Sequence, residues 1–482
     1  MSQSLLVGIF FFGVVFLYLR SRRFAGRLPP GPKGVSILGN AFDLPTEEQW
    51  LTFAKWKKTY GDLVGLRVLG QPIVLINSFE LANELLTKRG AYYSDRPGFS
   101  LIQEWGGWDW MLTPMRYGQD SIGQRKFLNR YLSASAVKDH EHLLETEAIK
   151  FVQRLSETPK DFQNHTRLFA CATIMMITYG HKVHDKHDQL IVLAEAANQS
   201  LEILKNVGAH PVDLFPWRNG SKFVAQMAQM RHLSERLIKE PYDQVRKELA
   251  EGVAYPSMAS WLLETNTNPD GTIANERLIQ GTTAGAYVAG ADTIVSSLDT
   301  AILGLMINPD VQKKAQAELD GVLRGQRMPT FADRPHMPYL EAIVLETMRW
   351  GPVAPLAVPH RLMKDDSFNG YFFPANTTFI ANSWGFLNDP EMFPNPSQFN
   401  PDRFINKNNE IRTDLLDAKL VAFGYGRRIC PGRFLGDSAV WIGVATMLAT
   451  FELSKPLDQN GKPIEPDLTW VSALICHPKP YK

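Results

Sequence analysis

The sequence predicts a mainly α-helical body with a minor β portion, preceded by a single membrane-spanning helix. Three observations lead there. Long stretches with helical apolar spacing dominate the chain, only two short segments alternate like hairpins, and the first nineteen residues carry no charge.

The amino-terminal run "SLLVGIFFFGVVFLYL" ends at Arg20, Arg22 and Arg23, with Arg27 and Lys33 close behind. As a helix its uncharged residues span roughly 28 Å, close to the thickness of an endoplasmic reticulum bilayer. A cleaved signal peptide would place its basic residues first and a small-residue cleavage site after, and neither is present. Basic residues on the carboxyl side predict an uncleaved anchor over 1–22, with the body facing the cytosol from the endoplasmic reticulum membrane. A basic, proline-rich link follows over 23–34, where "LPPGPKG" prevents a helix from continuing.

From residue 35 to 482 one large domain is expected, because no repeat, low-complexity tract or second linker interrupts it. "VGLRVLGQPIVLIN" (64–77) predicts a hairpin turning at Gly70 and Gln71, and "YFFPANTTFIAN" (371–382) predicts another. Helical spacing recurs over 78–90, 138–157, 226–252 and 310–325. The longest helix candidate follows the turn Asn268–Gly271 and reaches Asn308, where Pro309 opens the next helix. Its middle, "AGADT" (289–293), sets Gly290, Asp292 and Thr293 among apolar neighbours, and polar groups so placed need partners or a purpose.

Lys plus Arg at 51 against Asp plus Glu at 50 leaves no positive field for a polyanion, so nucleic acid is not an expected partner. Three widely spaced cysteines do not make a disulfide framework. One of them, Cys430, lies in "FGYGRRICPG", with Gly424, Gly426 and Gly432 permitting tight curvature and Arg427 and Arg428 adding positive charge. A lone cysteine is most often a packed core residue. Zinc would need further ligands nearby in sequence, and there are none; a single axial bond to a haem iron needs only one.

Phe423, Gly426, Arg428, Cys430 and Gly432 together resemble the haem-binding signature of the cytochrome P450 family, F-x-x-G-x-R-x-C-x-G. The resemblance implies that haem b (iron protoporphyrin IX) lies between the long central helix and the helix after the cysteine loop. It implies that the Cys430 thiolate is the axial iron ligand, that Phe423 shields the sulfur, and that Arg428 pairs with a propionate. "ETMR" is similar to the family's E-x-x-R, and Arg403 in "FNPDRF" to the residue completing a buried triad with Glu346 and Arg349, whose implied role is to hold the cysteine loop. "AGADT" resembles the oxygen-binding stretch: Gly290 makes room beside the iron, and Asp292 and Thr293 deliver protons through ordered water as dioxygen splits. A Thr hydroxyl that merely bonds to the carbonyl four residues back is the competing reading. The family's W-x-x-x-R appears here as Ser121 and Arg125, leaving Arg125 as a propionate partner, with His360 as a second one.

The resemblance is greatest to microsomal fungal members, and it implies a monooxygenase. The chain lacks a dinucleotide fingerprint, so electrons are expected from a separate NADPH-cytochrome P450 reductase, docking on a basic face that includes Lys419, Arg427 and Arg433. Trp105, Trp108, Trp110, Val353, Leu356 and Val358 suggest a lipophilic small-molecule substrate such as a terpenoid, polyketide or aromatic secondary metabolite. Two rivals are a haem-thiolate isomerase or dehydratase that needs no reductase, and a non-catalytic haem sensor.

Overall fold

The computed structural model describes residues 28–481 apart from 37, 100 and 202–220; the anchor expected over 1–22 lies outside the described residues. The described part of the proline-rich link is docked on the body. Gly65 donates its N–H to the Pro30 carbonyl (3.0 Å).

Helix α1 (Gln49–Tyr60) leads into strands β1 (Leu63–Val68) and β2 (Gln71–Ile76), an antiparallel pair whose turn puts Leu69 and Gly70 at positive φ. This is the first expected hairpin. The helical series then comprises α2 (Gln119–Leu132), α3 (Glu141–Glu157), α4 (Phe162–Tyr179), α5 (Gln189–Leu201), α6 (Ser221–Ala250), α7 (Met258–Asn266), α8 (Glu276–Met306), α9 (Pro309–Leu323) and α10 (Pro338–Trp350). Strands β3 (His360–Arg361), β4 (Asp366–Phe368), β5 (Tyr371–Phe373) and β6 (Thr378–Ala381) precede the last helix, α11 (Arg433–Leu448).

The second expected hairpin forms differently. β5 pairs with β4 across Asn369 and Gly370, both at positive φ, while β6 joins the other sheet, parallel to β2 and antiparallel to β3, in the order β1-β2-β6-β3. Asn-Gly supplies the left-handed backbone of a two-residue hairpin turn. Pro374 and the positive-φ Asn376 break the run between β5 and β6, so the two strands part.

Helix α8 fixes the centre of the molecule. Among the described residues it is the one helix long and apolar enough to cross a membrane, yet it is mostly buried, packed against α4, α2, α10 and α11. Its apolarity is that of a core helix. A β-side patch of Phe53, Val64, Leu66 and Leu75 forms a small separate cluster beneath the sheet.

Candidate active site

Between α8 and the segment leading into α11 lies a cavity of about 1500 Å³. Single-ligand pockets usually hold ~300–1,000 Å³, so this one has room for two occupants side by side. Ala289, Gly290, Asp292 and Thr293 of α8 form one wall, and Phe423, Cys430, Gly432 and Gly436 face them from the other. Among the described residues no group of three or more His, Cys, Asp or Glu is arranged to hold a metal ion.

The cysteine loop is a tight hairpin. The Cys430 N–H donates to the Phe423 carbonyl (2.8 Å), and Phe423 lies against Gly436 of α11. Gly426 has φ 51°, and a Cβ there would come 2.3 Å from the Leu86 carbonyl oxygen, so only glycine lets the loop sit this close to the 83–88 helical segment. Gly432 ends the loop as the N-cap of α11 and offers its N–H to the sulfur. Burial pushes the Cys430 thiol up; the Gly432 N–H and the charges of Arg125 and Arg433 oppose that and favour the thiolate.

Beside the sulfur, Arg96, Arg125 and Arg428 converge on the cavity. Arg428 donates to the Ser94 and Met115 carbonyls (both 2.7 Å), Arg125 to the Ile429 carbonyl (2.7 Å), and Arg96 to those of Thr113, Val358 and Pro359. Arg125 Nε and Arg428 Nη1 are buried without a partner. Burial, reinforced by mutual repulsion, lowers the pKa of Arg96 well below the usual arginine range and that of Arg428 to about 10. The nearest carboxylate, Asp95, is already held by Arg361 and by Arg116 (3.2 Å). A haem, flat and with two carboxylates on one edge, supplies what this cluster lacks, and the cavity fits it.

His360 is buried, lines the cavity and donates from Nδ1 to the Tyr93 carbonyl (2.7 Å), which leaves Nε2 free of that bond; burial and then the Arg96 charge push its pKa well down. Arg96, which sequence reasoning missed, is a further cation beside it on the cavity. Its only signal was an arginine between Asp95 and Pro97. Ser121, at the position of the family's tryptophan, closes the start of α2 by accepting from the Gly118 N–H (3.0 Å).

On the opposite wall, a Cβ on Gly290 would meet Ile174 of α4 at 2.8 Å, so this glycine permits close packing with α4 while also lining the cavity. Thr293 Oγ1 donates to the Ala289 carbonyl (2.7 Å), the back-bonded geometry, while still lining the cavity with its lone pairs free to accept. Asp292 Oδ1 lies 3.2 Å from Nε2 of His477.

The E-x-x-R pair forms as expected. Arg349 donates to both oxygens of Glu346 (2.6 and 2.8 Å) and also to the Leu387, Pro396 and Gln398 carbonyls, and Arg403 comes within 3.2 Å of the same carboxylate. The triad ties α10 to the chain over 387–403. Lys419, expected on a docking face, instead pairs with Glu341 and Asp437 (2.8 Å) in a partly buried network with Arg334. Arg427 stays exposed, touching the Tyr117 hydroxyl (2.9 Å), and Arg433 turns back to the Cys430 carbonyl (3.2 Å).

Trp108 and Trp110 stack on each other at 5.1 Å in the core, Trp105 packs toward Phe223, and Leu356 sits under the sheet; none of the four lines the cavity. The apolar lining comes instead from Ile102, Met111, Leu112, Ile174, Val353 and Val358.

Residues 29–482 match the family model described as cytochrome P450. A cytochrome P450 monooxygenase of Coprinopsis cinerea, COX1, is 40% identical over 468 residues, which is 94% of this chain and 90% of that protein. The monooxygenase claR of Ampulloclitocybe clavipes is 35% identical over 98% of this chain and 88% of its own length. Tryptamine 4-monooxygenase of Psilocybe cyanescens is 35% identical over 99% of this chain and 96% of its own.

Proposed function

The chain belongs to the cytochrome P450 family and is a haem-dependent monooxygenase using haem b; from that premise we propose that it inserts one oxygen atom of O2 into a lipophilic small molecule, with electrons from NADPH through NADPH-cytochrome P450 reductase. The observation that carries this reading is the cavity itself. It has a lone thiol on one wall, an acid and an alcohol on the other, and buried arginines with unpartnered atoms at its edge.

Bound to Cys430, the haem supplies the activation of oxygen. This chain's residues do the rest. Arg96, Arg125 and Arg428 hold the two carboxylates, and the Gly432 N–H moderates the charge on the sulfur. Thr293 Oγ1 accepts a hydrogen bond on the cavity side while Asp292 holds and passes protons. Ile102, Met111, Leu112, Ile174, Val353 and Val358 exclude bulk water and favour a terpenoid, polyketide or aromatic secondary metabolite. The relative named for tryptamine, a small aromatic amine, supports the aromatic end of that range. We place an anchor at 1–22, a link at 23–34 and one catalytic body at 35–482, facing the cytosol on the endoplasmic reticulum membrane.

Expression of the full chain with a reductase, followed by mass spectrometry of lipophilic metabolites, tests this. A product heavier by one oxygen, dependent on NADPH, is expected. A ferrous carbonyl complex lacking the red-shifted Soret band of a thiolate-ligated haem, in well-folded protein, overturns it.

A further inference from the structure

Three residues of α8 on one face, Asp292, Ser296 and Asp299, are met by the carboxyl-terminal loop. Buried Ser296 Oγ donates to the Cys476 carbonyl (2.5 Å), the Cys476 N–H donates to the Val353 carbonyl (2.8 Å), and the Tyr481 hydroxyl donates to the Asp299 carbonyl (2.5 Å). The loop is thus pinned on both sides of His477. Between those pins the His477 ring reaches the cavity wall and sets Nε2 at 3.2 Å from Asp292 Oδ1. Nothing in the family signature motifs calls for a histidine here.

We propose that His477 is a positioning residue for Asp292: it fixes the carboxylate on the cavity wall and supplies, from Nε2, each proton that Asp292 passes inward. The proposal rests on the acid–alcohol reading above. The cycle balances simply. In the resting pair Asp292 is a carboxylate and His477 an imidazolium; the Nε2 proton moves onto Asp292 as Asp292 passes a proton inward, which restores the carboxylate, and the neutral imidazole is reprotonated from solvent.

The surroundings suit the task. Asp292 and Asp299 face His477 from α8, and Arg167 of α4, bridged to Glu195 of α5 (3.1 Å), is a nearby positive charge. Burial disfavours the imidazolium and Arg167 repels it, but the hydrogen bond and charge of Asp292, with the charge of Asp299, outweigh both and raise the His477 pKa. Asp299, buried and accepting from Thr166 Oγ1 (2.9 Å), has its carboxyl pushed up to about 7 by burial. His477 therefore keeps its charge to a higher pH than an ordinary histidine and loses it as pH rises through its raised value.

The test uses the full-length haem-loaded enzyme, reconstituted with reductase in vesicles, without added substrate. NADPH consumption, oxygen uptake and hydrogen peroxide release are followed from pH 6 to 9 in H2O and D2O. In the parent, NADPH consumption should fall as the pH rises through the His477 range. His477→Gln keeps an amide donor for Asp292 but holds no exchangeable charge, so its profile should be flat, slower by roughly 3- to 10-fold at neutral pH, with a changed solvent isotope effect. Thermal unfolding gives a readout apart from turnover. A histidine with a raised pKa stabilises the fold below its ordinary value and loses that as pH rises, so the parent melting temperature should drop across this window more than that of His477→Gln. His477→Asn serves if the glutamine variant does not fold. An unchanged pH profile in either folded variant overturns the inference. Thr293→Ala should raise the peroxide share of the oxygen consumed; if it does not, while His477→Gln flattens the profile, the alcohol's role in the underlying reading fails and the His477–Asp292 relay stands.

Discussion

Two buried clusters of arginine lie in this molecule and are handled in opposite ways. Glu346, Arg349 and Arg403 form a closed set, in which every guanidinium is matched by a carboxylate or a carbonyl and both Glu346 and Arg349 have no exposure at all. Arg96, Arg125 and Arg428 form an open one, with repelling charges, two unpartnered nitrogens and the nearest carboxylate engaged elsewhere. Desolvating an ion is costly and needs a partner to offset it. The first cluster contains its partner; the second borders a cavity that admits one. The contrast separates charge used to build the scaffold from charge kept for a ligand.

The largest effect should come from breaking the closed set. Glu346→Ala leaves Arg349 buried without its anion, and removal of one member of a buried pair costs ~3–5 kcal/mol. Denaturant titration should show that loss, or no folded holoprotein should accumulate. Next is the open set. If Arg428 holds a haem carboxylate as proposed, Arg428→Leu removes a charge-assisted contact worth about 1.5–3 kcal/mol, and haem transfer to excess apomyoglobin should quicken by ~10-fold or more. Equal haem retention in parent and variant would show that the open cluster needs no ligand, and the contrast would collapse.

A third effect sharpens the boundary between the two kinds of charge. Asp299 is buried, and burial outweighs the nearby charges of His477 and Arg167 to raise its carboxyl to about 7, so relative to an uncharged side chain it favours folding below pH ~4 and loses that advantage as pH rises through 7. Asp299→Asn should melt at a higher temperature than the parent at pH 8, with the gap closing toward pH 5. The smallest effects concern the surface. Arg427→Glu should slow reduction by the reductase severalfold, whereas Lys419→Glu should lower stability through its contacts with Glu341 and Asp437. Stopped-flow reduction and thermal melts separate the two.

Signals local in sequence were readable in advance. The first hairpin (its turn one residue earlier than the expected Gly70 and Gln71), the long central helix, its stop before Pro309, the buried glutamate–arginine pair and the curvature of the cysteine loop all follow from spacing and residue type within a few positions. What depended on distant partners was not. Whether β6 pairs with β5 or with β2 is decided by residues some 300 positions away, and Trp108 and Trp110 read equally well as lining or as core. Arg96 and His477 are single polar residues whose meaning comes only from what packs beside them. Lys419 looked free because Glu341 and Asp437 are remote in the chain.

The parallel pairing of β2 with β6, Ile73 against Thr378, has a consequence for how the chain comes off the ribosome. The β1–β2 hairpin can close early, but its outer edge stays bare until more than 300 further residues have been made. Unpaired edges attract other strands, and contacts of such long range form slowly. Nascent chains should thus pass through a prolonged stage vulnerable to sticking, in which a chaperone shielding residues 71–76 would do most to raise the yield of finished molecules.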